Sequence, residues 1–385
     1  MSRFFDLVST AAREMGGYIP HQPKQPAREF QPRLIRLDSN ENPFGPSPHA
    51  IAAMRAALTR AHAYPDDDCT ELRRKLAAHH GLPPEQALVT AGSTALLSLL
   101  CQTFLVPGLN AVTSERSFIV YSLAVRATGA QLIETPMRND GFDLEAILHA
   151  IDANTRLVFL ANPNNPTGTM ISEDLIDKFL SRVPGHVVVV LDEAYYEFAV
   201  HLASTAQVRY PDSVEYVRRG ASVVVLRTFS KAHGLAGLRI GYGLGPAELL
   251  TYCARMRNTF SVASVAQSAA IAAIDDRSHI ERVVANNTAQ AKVLADGLSD
   301  LGYPVVPTCA NFVYSDVAED ASGFADRLLR EGVSVRPLGA WGAPTFIRVS
   351  IGTPEQNQFL LDAVRKAAVY KSSAGIGVRD SGFRS

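Results

Sequence analysis

The sequence predicts an α/β protein: a large unit with a mainly parallel seven-stranded sheet between helices, followed by a smaller α/β unit. Three observations carry that reading. Apolar runs at 87–90, 110–113, 130–134, 156–161, 186–191 and 222–227 alternate with helical stretches near 93–105, 118–128, 143–151, 172–182 and 213–219, the rhythm of strand–helix–strand crossovers. A seventh run, 239–244, follows the sixth too closely for a helical crossover, so one strand is expected to be antiparallel. After residue 300 the strands shorten to 304–306, 311–316, 333–336 and 346–350, with helices at 321–331 and 354–369.

The remaining elements follow in order. Residues 3–15 suit an amphipathic helix, and the prolines from Pro20 to Pro46 then forbid regular structure except a short strand at 34–37. Ser47-Pro48 opens a helix to about residue 60, and a second runs from 69 to 80 and is closed by Gly81. The Ala- and Ser-rich stretch 246–275 reads as helical, and 277–300 as one long helix. The expected division is an arm at 1–45 belonging with the small domain, a large domain at 46–270, a small domain at 271–369, and a flexible Gly- and Ser-rich tail at 370–385.

A chain of 385 residues with 47% apolar and 19% charged residues can build two cores. A formal net charge of -1 argues against a nucleic-acid partner. Charges interrupt the N-terminus, no stretch reaches the length of a membrane span, and a cytoplasmic protein is expected. Cys69, Cys101, Cys253 and Cys309 are scattered singly, which speaks against a metal site and against a disulfide framework.

The chemistry centres on Thr228 to Tyr242. Lys231 sits just past an apolar run, where its amine is suited to condense with an aldehyde, while Ser230 and Arg239 are suited to a phosphate dianion. Pyridoxal 5'-phosphate fits that pairing. Alone, Lys231 reads as a solvated charge; its neighbours change the reading. Asp192 closes the run Val187 to Leu191, placed to pair with a protonated pyridine nitrogen. Gly92, Ser93 and Thr94 join a strand to a helix and offer free N–H groups to the phosphate. Phe118 begins the next helix and can stack on the ring. In Ala161-Asn162-Pro163-Asn164-Asn165-Pro166-Thr167-Gly168 two prolines fix the backbone around Asn165, which with Tyr195 is placed to share the cofactor's phenolate oxygen. All these residues fall at carboxyl ends of strands, where open α/β sheets bind ligands.

The Asn-Pro-Asn-Asn-Pro-Thr-Gly run, Asp192-Glu193-Ala194-Tyr195, Ser230-Lys231 with the following Gly-Leu-Ala-Gly-Leu-Arg239, and Leu37-Asp38-Ser39-Asn40-Glu41-Asn42-Pro43-Phe44-Gly45 together resemble fold-type I pyridoxal-phosphate aminotransferases. Within these the chain most resembles the histidinol-phosphate aminotransferase family, over about residues 34–368. The resemblance implies a homodimer with active sites at the subunit interface, Tyr64 reaching the cofactor phosphate of the neighbouring subunit. It also implies Arg348 as the substrate-anion arginine, Arg336 assisting a substrate phosphate, and Tyr18 and Asn42 beside the substrate. The implied reaction moves an amino group between histidinol phosphate, or a related donor, and 2-oxoglutarate.

The chain departs from the pattern in two places. It has Tyr18-Ile19-Pro20-His21 where the family often has Tyr-x-Pro-Gly, and Trp341 where tyrosine is common. Trp341, Phe118 and Tyr18 keep an aromatic amino-acid aminotransferase open as an alternative. A non-catalytic ligand-binding module of the same fold would have lost Lys231, Asp192 or Arg239, and all three are present.

Overall fold

The computed structural model describes residues 5–14 and 34–374. Seven strands form the central sheet: β1 (Ala87–Thr90), β2 (Asn110–Ser114), β3 (Gln131–Thr135), β4 (Thr155–Ala161), β5 (Val188–Asp192), β6 (Val223–Thr228) and β7 (Gly241–Leu244). Their spatial order is β1-β7-β6-β5-β4-β2-β3. The pairings β2–β3, β2–β4, β4–β5 and β5–β6 are parallel, and β7 lies antiparallel between β6 and β1. β4, β5 and β6 are buried over nearly their whole length, as expected of strands covered by helices on both faces. Two apolar clusters cover those faces, one around Val158, Leu160, Val189 and Val225, the other around Phe159, Val190, Val224 and Leu226. Alternate residues of each strand go to opposite clusters.

The second sheet has four strands, β8 (Val305–Val306), β9 (Phe312–Asp316), β10 (Arg336–Pro337) and β11 (Phe346–Ser350), in the order β8-β9-β11-β10 and all antiparallel. Its core joins Leu294, Leu298, Val313, Phe324, Leu328, Ile347 and Leu360. Leu37 enters the same core, and Ile35–Arg36 pairs in parallel with Val333–Ser334, so the N-terminal segment belongs to this layer.

Local chemistry sets the helix ends. Ser47 caps the helix Pro48–Leu58, its Oγ accepting from the Ala50 N–H, and Gly81 ends Thr70–His80 in a left-handed conformation, φ 62°. The stretch expected to be helical over 246–275 forms two helices, Ala247–Arg255 and Ser264–Asp275. The break falls at a turn where Phe260 takes φ 54°. Ser264–Asp275 packs on Pro48–Leu58, past the expected domain boundary at 270, and the helix after it is capped by Asp276. The last helix runs Pro354–Ala374, beyond the expected end at 369. The tail from 375 onward, the arm from 15 to 33 and Tyr18 lie outside the described residues. A helix over Tyr196–Thr205, directly after Tyr195, was not expected from the sequence. No helix among the described residues is long and apolar enough to cross a membrane.

Candidate active site

The carboxyl ends of β1, β4, β5 and β6 meet the start of β7 at one edge of the sheet, because β7 alone runs the other way. They open into a cavity of about 610 Å³. Of the expected site residues, Ser93, Thr94, Phe118, Asn165, Asp192, Tyr195, Ser230, Lys231, Arg239, Arg336 and Arg348 line it. The opposite wall comes from β10 and β11 of the four-stranded sheet, where Arg336 and Arg348 are directly opposed in register and so project from the same face.

One end of the cavity is built for an anion. Gly92 has φ 88°, which favours glycine, and a Cβ there would sit 2.7 Å from Nη2 of Arg239, so the missing side chain lets the guanidinium lie beside the first turn of the helix Ser93–Phe104. Arg239 itself has φ 53° and donates through Nη1 to Ser230 Oγ at 3.4 Å and to the Ala236 carbonyl at 2.9 Å. Free N–H groups, a hydroxyl and a guanidinium thus converge, the chemistry that phosphate requires.

The other end is a buried acid. Asp192 Oδ2 accepts a hydrogen bond from Tyr121 Oη at 2.9 Å, while Oδ1 is buried with no hydrogen-bond partner among the described residues. Burial is the main cause that pushes the Asp192 pKa up to about 6, with the Tyr121 hydrogen bond opposing it. Tyr121 is held by stacking on Phe159, ring centroids 4.9 Å apart, and Phe118 meets its edge at 5.6 Å. The next residue, Glu193, points to the far side of the strand end and pairs with Arg227 at 2.8 Å. Arg227 in turn lies over the Tyr196 ring at 3.4 Å.

Between the two ends sits Lys231, whose Nζ donates to the Ser39 carbonyl at 3.2 Å. Burial, then the Arg348 cation, holds its pKa down to about 7, with Glu41 opposing and Arg239 adding a smaller push. A large share of Nζ is therefore the free amine near neutrality. Tyr195 Oη accepts from Asn40 Nδ2 at 3.0 Å, and burial raises its pKa, so the phenol keeps its proton and can donate. Arg348 Nη1 donates to Asn165 Oδ1 at 2.6 Å, which turns the N–H end of that amide away from the guanidinium.

Two expected side chains lie off the cavity wall, and a third is placed differently along the chain. Phe118 precedes the helix Val120–Arg126 rather than opening it, though it stays on the cavity wall. Asn42 is not on that wall: it is buried and donates Nδ2 to the Ala232 carbonyl at 2.8 Å, bracing the lysine loop. Tyr64 is 83% exposed and stacks on Phe260 at 4.6 Å, outside this cavity. Conversely, Tyr121, Asn40 and Glu41 belong to the site and were not singled out from the sequence. Tyr121 carries no local signal, since an aromatic among Val120, Leu123 and Val125 reads as core. Asn40 carries a weak one, because asparagine tolerates the left-handed φ of 55° it adopts.

A family model described as aminotransferase class I and II matches residues 32–364. The chain belongs to this aminotransferase family. This aminotransferase is 43% identical over 374 residues to a Pseudomonas aeruginosa protein called histidinol-phosphate aminotransferase 2, covering 96% of this chain and 100% of the relative. A Moorella thermoacetica histidinol-phosphate aminotransferase is 41% identical, with 90% of each chain covered. Among solved structures, the aminotransferase superposes on the histidinol-phosphate aminotransferase of Sinorhizobium meliloti in complex with pyridoxal-5'-phosphate with a TM-score of 0.87 at 28% identity, covering 95% of this chain and 99% of that one.

Proposed function

We propose that this enzyme is a pyridoxal 5'-phosphate-dependent aminotransferase of histidine biosynthesis, a cytoplasmic homodimer that moves an amino group from histidinol phosphate to 2-oxoglutarate. The observation that carries the reading is the unpartnered Oδ1 of Asp192, facing one cavity with Lys231 and the Gly92–Arg239 cradle. A buried carboxylate oxygen without a donor is costly. A ring N–H supplies that donor, and the cradle accepts a phosphate, so the residues fit the cofactor at both ends. Nearly full-length likeness to histidinol-phosphate aminotransferases supports the donor.

In this reading Gly92, Ser93, Thr94, Ser230 and Arg239 hold the phosphate, Asp192 the ring nitrogen, Asn165 and Tyr195 the ring oxygen, and Phe118 covers a face. Tyr64 is supplied in trans by the second subunit to the phosphate, which accounts for an exposed ring pair on the surface. Bound there, pyridoxal 5'-phosphate supplies an aldehyde for the incoming amine and an electron-withdrawing ring. Asp192 holds a proton on the ring nitrogen by its negative charge. Nζ of Lys231 is the base that takes the proton from the amine-bearing carbon of the donor and the acid that returns it. Arg348 and Arg336 bind the phosphate of histidinol phosphate or the carboxylates of 2-oxoglutarate from the small-domain wall.

The test is the spectral change of the cofactor-loaded protein on mixing with histidinol phosphate and, in parallel, with phenylalanine. A fast response to histidinol phosphate supports the proposal. A fast response to phenylalanine alone moves the enzyme to the aromatic aminotransferases.

A further inference from the structure

The cavity wall is unevenly charged. Lys231, Arg239, Arg336 and Arg348 line it, and against them stand two carboxylates, Asp192 and Glu41. Asp192 is buried and tied to Tyr121. Glu41 is exposed, and among the described residues its carboxylate has neither an ion pair nor a hydrogen bond. An exposed glutamate is ordinarily a solvated charge, but this one is held in place. Its neighbour Asn40 is fastened to Tyr195 Oη at 3.0 Å and, through its backbone N–H, to Ser350 Oγ at 2.7 Å. Asn42 on its other side is fastened to the Ala232 carbonyl and accepts from the Phe44 N–H at 2.9 Å. The backbone of Glu41 is thus clamped between both sheets, and its charge is near enough to favour protonation of Lys231.

The inference rests on the proposed donor. Histidinol phosphate has three parts that a site can recognise: an amine, a phosphate and an imidazole. The amine goes to Lys231, and the phosphate to Arg336 and Arg348. The ring has an N–H to donate and a positive charge in acid. Glu41 is the carboxylate on the wall that no other part of the substrate or cofactor requires. We propose that Glu41 accepts the ring N–H of the amino donor, so that the site selects imidazole over phenyl at that position. Glutamate and 2-oxoglutarate carry no ring, so Glu41 acts in one half of the reaction only.

The test uses full-length, cofactor-loaded protein and its Glu41→Ala and Glu41→Gln variants. The apparent second-order rate of the spectral change is measured with histidinol phosphate, with phenylalaninol phosphate and with glutamate, and light scattering checks that the subunit assembly is unchanged. Loss of a charged hydrogen bond predicts a fall of about ten- to a hundredfold with histidinol phosphate in Glu41→Ala. Glu41→Gln, which keeps an acceptor without the charge, falls less. Any effect of the lost charge on Lys231 is shared by all three donors, so the ring contact is read as the extra fall with histidinol phosphate relative to phenylalaninol phosphate and glutamate, neither of which makes that bond. An equal fall with all three, or an altered assembly, overturns the proposal and makes Glu41 a partner of Lys231 or of the second subunit. Unchanged rates with histidinol phosphate overturn it as well. A wild-type protein that responds to glutamate but not to histidinol phosphate overturns the donor assignment and the ring contact with it, an outcome visible before any variant is made.

Discussion

Arg348 donates one arm of its guanidinium to Oδ1 of Asn165 at 2.6 Å and the other to the carbonyl of Asp38 at 2.9 Å. One side chain of the four-stranded sheet thereby fixes a cavity residue beside the seven-stranded sheet and the N-terminal segment together. Planar, forked geometry makes this possible, and a lysine has none of it. Arg348→Lys is expected to raise KM for both the amino donor and 2-oxoglutarate by about tenfold or more, with a smaller change in kcat, since what is lost is binding common to ground and transition states. Steady-state kinetics with each substrate varied in turn check this. A change confined to kcat would contradict it.

Asp192 has one oxygen on Tyr121 and one in need of a donor. Asparagine keeps the shape and loses the charge. Asp192→Asn is expected to retain cofactor at the phosphate end while turnover falls at least about a hundredfold, the scale of losing one directed electrostatic group in a dry site. Cofactor content by absorbance and turnover are read on the same sample.

The low pKa of Lys231, about 7, has a directional consequence. Only the unprotonated amine attacks an aldehyde. Capture of pyridoxal 5'-phosphate by the unloaded protein should therefore be fast above pH 7 and slow about tenfold per unit as pH falls below it, where an ordinary lysine would show that decline only below its usual value near 10.4. Lys231→Ala should show no capture at any pH and no turnover. Stopped-flow absorbance across pH 5.5–9 measures the profile.

Glu193 and Arg227 form a pair whose side chains are 0% and 4% exposed, and Glu193 also accepts from Ser213 Oγ at 2.6 Å and Tyr210 Oη at 3.2 Å. Removing the carboxylate strands a buried cation and the Ser213 hydroxyl, while Tyr210 Oη keeps the Asn162 carbonyl. Glu193→Ala is expected to lower stability by about 3–5 kcal/mol. Glu215→Ala, which breaks the half-exposed contacts to Arg218 and Arg219, should change stability far less. Urea unfolding of the two variants side by side separates them.

Much of this architecture was legible in the sequence, and the reasons are local. Six apolar runs separated by helical stretches leave little choice but a covered parallel sheet, and the closeness of Arg227 to Arg239 already signalled the antiparallel β7. Lys231, Asp192 and Asn165 stood out as polar groups just past apolar runs, and Arg239 as a cation following a glycine-rich turn. What sequence could not show depends on register and side-chain direction. That Arg336 faces Arg348 follows from the pairing of β10 with β11. That Asn42 braces a loop while Glu41 enters the cavity follows from how residues 38–45 cross the site. Tyr121 touches Asp192 from 71 positions away, a contact that no short pattern encodes.

The place of β7 between β6 and β1 also imposes an order on synthesis. Gly92 emerges from the ribosome long before Arg239, and they become neighbours only when residues 241–244 slot between strands that end at Thr90 and Thr228. Until that late insertion the nascent chain has half an anion pocket and no completed sheet. The two halves of the pocket are therefore joined only through β7, and retention of a phosphate-bearing ligand reports that the sheet is complete.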